Sequence, residues 1–137
     1  MKGRKADLRS IDGGMKGVPR MPASVPADMR PEWNSVASDM VKREILTESM
    51  VGVLATYMIA LWTVRQAQQA IAEHGLLTAT AHGNLKPNPA SGILSKALEQ
   101  VSRLSAELGL TPAARSKQGF NRRGDPNDDG APPGLDL

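Results

Sequence analysis

The chain of 137 residues contains no cysteine. That excludes a disulfide framework, a thiol nucleophile and a thiolate metal site, and it fits a reducing compartment. Histidine occurs only at His74 and His82. The first falls at an expected helix C-terminus, where it suits the dipole, and the second in turn chemistry, so neither is placed as a general base. No Gly-x-x-x-x-Gly-Lys-Ser/Thr phosphate loop is present, since "IDGGMKG" lacks both the lysine-hydroxyl ending and a preceding strand. No nuclease-type carboxylate cluster stands out. These absences predict a protein without a catalytic constellation, a metal or a cofactor. Lys2, Arg4 and Lys5 are followed by no apolar run, so a secretory signal is not expected. The uncharged stretch "MVGVLATYMIALWTV" stops at Val64. It falls short of the ~20 residues of a membrane span, and Gln66, Gln68 and Gln69 follow it, so no membrane partner is expected.

What is present is charge in separate blocks. The net charge is +3, and residues 1–30 carry +4, residues 31–111 carry −1, residues 112–124 carry +4 and residues 125–137 carry −4. A nearly neutral body therefore has a basic segment at each end and an acidic tip. Residues 1–30, with "DGGMKG" and "VPRMPASVPADMRP", keep no apolar period and predict a disordered basic arm. Residues 119–137 predict a disordered tail, first basic and then acidic. Within "DPNDDGAPPGLD", Asp125, Asn127, Asp129, Gly130 and Asp136 imitate calcium-loop positions. Position twelve is Asp where Glu is the rule, prolines interrupt the loop and no helix follows, which leaves an acidic tail.

Residues 31–118 predict one all-α domain. Pro31 suits the first turn of a helix whose Trp33, Val36, Ala37, Met40 and Val41 share a face and which ends near Glu44. Thr47 as N-cap and Glu48 in the first turn open a second helix that runs to His74, with Gly75 as its stop. Leu76 to Lys86 predict a small hairpin or loop, after which Asn88 caps and Pro89 begins a third helix. Leu94, Ala97, Leu98, Val101, Leu104 and Leu108 keep its period to Gly109. The architecture expected is a long antiparallel helical hairpin with a short N-terminal helix packed on it. On the second helix Met50, Leu54, Tyr57 and Leu61 form one apolar stripe, and Val51, Met58 and Trp62 belong to a second beside it. Two stripes need two partners, and the short first helix and narrow third stripe predict that a second copy supplies one, in a homo-oligomer.

The stretch "LSAELGLTPAARSK" ends one helix at Gly109 and restarts another at Thr111-Pro112, ahead of Arg115 and Lys117. Together with "MKGRK" at the start, "EW" at Glu32-Trp33, "EHGLL" at Glu73 to Leu77 and "KPNPA" at Lys86 to Ala90, it resembles the phage terminase small subunits. The branch it is similar to opens with Lys-Gly-Arg and closes with a Gly-Leu-Thr-Pro turn. The resemblance implies a ring that binds double-stranded viral DNA at the packaging initiation site and delivers it to the large terminase subunit, which holds the ATPase and nuclease, in the cytoplasm of the bacterial host. Charge alone nominates the phosphate-binding residues: Lys2, Arg4, Lys5, Arg9, Lys16 and Arg20 at one end, and Arg115, Lys117, Arg122 and Arg123 at the other. Two rivals stand beside this reading, a structural phage assembly protein (connector or scaffold) without DNA recognition and a membrane-surface protein using Met50 to Val64.

Overall fold

The computed structural model of the protein describes residues 14–112. In chain order it has a 3-10 turn Ala27–Met29, helix α1 Arg30–Lys42, a second 3-10 turn Glu48–Met50, helix α2 Val51–His74, strands β1 Leu77–Ala79 and β2 Leu85–Pro87, and helix α3 Pro89–Glu107. It is mostly helical, as expected. Helices α2 and α3 pack side by side as an antiparallel hairpin, and α1 lies against the end where α2 begins. We call that end the base and the β-hairpin end the tip. At 1.5 Å per residue α2 is about 36 Å long.

Each helix boundary has a local cause. Helix α1 ends in a Schellman turn: Glu44 N–H donates to Val41 O at 2.9 Å, and Ile45 N–H to Met40 O at 3.0 Å. This places Glu44 at φ 60°, a left-handed backbone that glycine takes more readily. Thr47 does not cap α2 with its side chain; its hydroxyl meets Ser49 Oγ at 3.1 Å, and the 3-10 turn delays the α-helix to Val51. Gly75, at φ 92°, stops α2 as expected. The third helix closes on another Schellman turn, with Gly109 at φ 72° and N–H donation from Gly109 to Ala106 O and from Leu110 to Ser105 O.

Asn88 holds the tip. Its Oδ1 accepts from Ala90 N–H at 2.9 Å, the N-cap bond, while its Nδ2 donates to Gly75 O at 2.8 Å and its backbone N–H to Leu76 O at 2.8 Å. One buried side chain thus ties the C-cap of α2 to the first turn of α3. Between these ends lies the two-stranded antiparallel sheet, with Leu77 opposite Pro87, Thr78 opposite Lys86 and Ala79 opposite Leu85.

The core sits at the base. Met21, Val25, Met29, Trp33, Ala37 and Met40 meet Ile45, Leu46, Leu54, Ala55, Met58 and Leu108 in one cluster. This corrects the expectation of a disordered arm through residue 30. From Gly14 onward the segment is packed: Gly14 bridges Thr47, Met15 N–H donates to Leu46 O at 3.0 Å, and Trp33 Nε1–H donates to Pro19 O at 2.9 Å. Three prolines obscure its periodicity, yet Met21, Val25, Met29, Trp33 and Ala37 are all buried at a spacing of four. They form one apolar edge running into α1. Residues 1–13 lie outside the described residues.

Candidate nucleic-acid and assembly surfaces

The buried positions of α2 decide how much of the expected oligomer interface is available. Leu54 and Met58 have no exposed surface, buried in the cluster they share with the segment before α1, α1 itself, Ile45, Leu46 and Leu108. Their assignment to an intersubunit face is therefore corrected: the second partner that α2 requires is, over this stretch, the chain's own N-terminal segment. Met50, Val51, Tyr57, Leu61 and Trp62 are half-buried and flank the same cluster. On the opposite side of α2, Ala60 and Ala67 are buried, as are Ala90, Ala97 and Leu104 of α3. Small residues there let the two helices approach closely. Burial of Tyr57 pushes its hydroxyl pKa up.

The span Glu48–His74 is long and apolar enough to cross a membrane by length and composition, with mean hydropathy 1.2 over eighteen residues. Counting only the run to Val64 therefore understated its length. Within the described fold its apolar side chains serve as core: one flank enters the base cluster and another faces α3. Only 28% of that window is buried in the single chain, so α2 keeps apolar surface beyond what its own neighbours cover.

Arg65 marks the middle of α2 and the edge of the core. Its Nη2 donates to Glu32 Oε2 at 2.6 Å, and its Nη1 lies 3.4 Å from Met29 Sδ. The Arg65 guanidinium holds the Glu32 carboxyl below the usual carboxylate range, chiefly through that hydrogen bond. Beyond Arg65 the two helices run on as an arm without the base cluster. Among the described residues, five of the six exposed large apolar side chains sit there, namely Leu76, Leu77, Leu85, Ile93 and Leu98. A depression lined by Gln66, Gln69, Ala70, Glu73 and His74 is open to solvent, and His74 Nε2 lies 3.7 Å from Glu73 Oε2. Among the described residues no three His, Asp or Glu side chains converge as a metal site would require. The calcium-like positions 125–136 lie outside the described residues.

Of the residues nominated for DNA, Lys16 and Arg20 are described, and both are exposed on the strap that crosses the base. Lys2, Arg4, Lys5 and Arg9, and likewise Arg115, Lys117, Arg122 and Arg123, lie outside the described residues. So does the short basic helix expected after the Gly109 turn, of which only its first position, Pro112, is described, and is helical. Sequence reasoning missed Arg65, Glu32 and the second role of Asn88. The four-residue spacing from Met21 to Ala37 was the available signal for the strap.

The described fold is a small helical body with half-buried apolar faces, and its near-neutral net charge lies between two net-basic stretches of the sequence. A family model described as phage terminase, small subunit, matches residues 30–125. The chain belongs to that family, which ties it to phage DNA packaging and to a subunit that is generally the non-catalytic, DNA-recognising one. Comparison with curated proteins and with solved structures finds no match.

Proposed function

We propose that this protein is the small terminase subunit of a phage packaging motor: it assembles into a homo-oligomeric ring, binds double-stranded viral DNA at the packaging initiation site and delivers it to the large subunit for translocation into the procapsid. The match to the terminase small subunit family over residues 30–125 carries the reading. Two features support it. Helix α2 retains half-buried apolar residues, Met50, Val51, Tyr57, Leu61 and Trp62, on which a second copy gains contact area. Basic segments at both chain ends supply cations for phosphates, and repetition around a ring multiplies their effect. The role places the protein in the cytoplasm of the bacterial host.

The test pairs the mass of the intact assembly by light scattering with binding to duplex DNA over a salt series. A defined oligomer whose DNA affinity falls steeply with salt is expected. A monodisperse monomer at micromolar concentration would overturn the ring. A stable assembly that binds no duplex would favour the connector or scaffold reading instead.

A further inference from the structure

We propose that the outer edge of β1, at the tip, is a docking site for an extended strand of another protein, apolar at alternate positions and acidic between them. The proposal stands apart from the DNA-binding role given above, and its failure would leave that role untouched.

The hydrogen bonding of the hairpin opens that edge. Asn88 N–H donates to Leu76 O at 2.8 Å and Thr80 N–H to Asn84 O at 2.7 Å, and Thr78 lies opposite Lys86 midway between them. Bonded and non-bonded positions alternate in an antiparallel pair, so Leu77 and Ala79 on β1, and Leu85 and Pro87 on β2, turn their backbone polar groups outward. Among the described residues no hydrogen bond reaches those of Leu77 or Ala79. Gly75, at φ 92°, keeps the Leu77 carbonyl approachable, since a Cβ there would stand 3.3 Å from its oxygen. The β1 edge therefore offers two N–H and two C=O groups to a third strand. On the other edge Pro87 removes a donor, which closes β2 to pairing as edge prolines do.

The two faces of the hairpin specify what that strand carries. Leu77 with Pro87, and Ala79 with Leu85, are cross-strand pairs on one face, and all four residues are exposed, Leu77 at 51% and Leu85 at 67%. Thr78 and Lys86 share the other face. A strand laid along β1 places its residues opposite Leu77 and Ala79 on the apolar face. The residue between them falls on the face of Lys86, about 10 Å away across two strand spacings, a gap that the long lysine stem closes onto a carboxylate. From Gly75 to Leu98 the sequence has Lys86 and Lys96 and no Asp or Glu, so an acidic residue there meets no repulsion. A second copy fits worse in either orientation. Its β1 would bring lysines towards lysines, and its β2 edge lacks the donor at Pro87. A two-stranded hairpin is marginal by itself, so a third strand adds order as well as contact.

The experiment uses the full chain and short fluorescent peptides of alternating Val and Glu or alternating Val and Lys. Anisotropy titrations to about 1 mM peptide give affinities, and amide exchange of the wild type with and without peptide locates the contact. The Val–Glu peptide should bind and slow exchange at Leu77 and Ala79. The Val–Lys peptide should bind about 10-fold more weakly, and Lys86→Glu should reverse that order. Ala79→Pro removes an N–H that bonds nothing within the hairpin, so it should keep the wild-type circular dichroism while weakening the Val–Glu peptide about 10-fold. No binding of the Val–Glu peptide, binding without protection of Leu77 and Ala79, or an affinity unchanged by Ala79→Pro would each overturn the proposal. A loss of assembly mass in Ala79→Pro would overturn it too, by seating a second copy on the edge. Protection of the same amides by duplex DNA would likewise hand the edge to nucleic acid.

Discussion

Replacing Asn88 by alanine removes two interactions at once, and their separate sizes set the expected loss. The first is the N-cap bond to Ala90 N–H at 2.9 Å, a type of contact worth about 1 kcal/mol. The second is the 2.8 Å bond from Nδ2 to Gly75 O, whose loss leaves a part-buried carbonyl unpaired at about 1–2 kcal/mol. Asn88→Ala should therefore cost about 2–3 kcal/mol, or about 10–20 °C in Tm for a body of this size. Asn88→Ser separates the two, because its hydroxyl restores the cap and cannot reach Gly75; it should cost about half as much. Urea and thermal unfolding followed by circular dichroism, at fixed protein concentration, give both values, and amide exchange at Leu76 and Ala90 reports whether the tip opens first. An alanine variant within about 0.5 kcal/mol of wild type would refute the assigned role. So would a serine variant as damaged as alanine, since the cap would then contribute nothing.

Three further outcomes follow from the same geometry. Glu44→Gly should stabilise the protein by about 0.5–1 kcal/mol, read as a higher urea midpoint, because φ 60° strains any residue with a Cβ. Glu32 has a folded pKa below its unfolded value, so the stability it adds is present above the ordinary carboxylate range and lost as pH falls through the lowered folded pKa. Glu32→Gln should flatten that acid-side loss in urea midpoints taken between about pH 3 and pH 6, and an unchanged profile would remove the Arg65 pair from the account. Leu54→Ala should cost about 2–5 kcal/mol of folding stability, as a fully buried core leucine does, whereas Leu61→Asp should act on assembly, lowering the mass by light scattering while helical content persists.

The helices, their stops and the caps at Asn88 and Gly75 were legible in the sequence because each depends on residues within a turn of one another. Gly75 and Gly109 supply positive φ, Asn88 and Pro89 begin a helix, and the period from Leu94 to Leu108 marks one face, whatever lies opposite. Hydrophobic periodicity also revealed that α2 needs cover on more than one side. It could not say who provides that cover. The surplus around Leu54 and Met58 was assigned to a second copy, but residues 14–30 fill it within one chain. The four-residue spacing from Met21 to Ala37 marks an apolar edge despite the prolines, but the contacts that seat the strap, such as Gly14 to Thr47 and Trp33 Nε1 to Pro19 O, are long-range and no local pattern encodes them. The second bond of Asn88 and the Arg65–Glu32 pair are likewise products of packing, joining residues 13 and 33 positions apart.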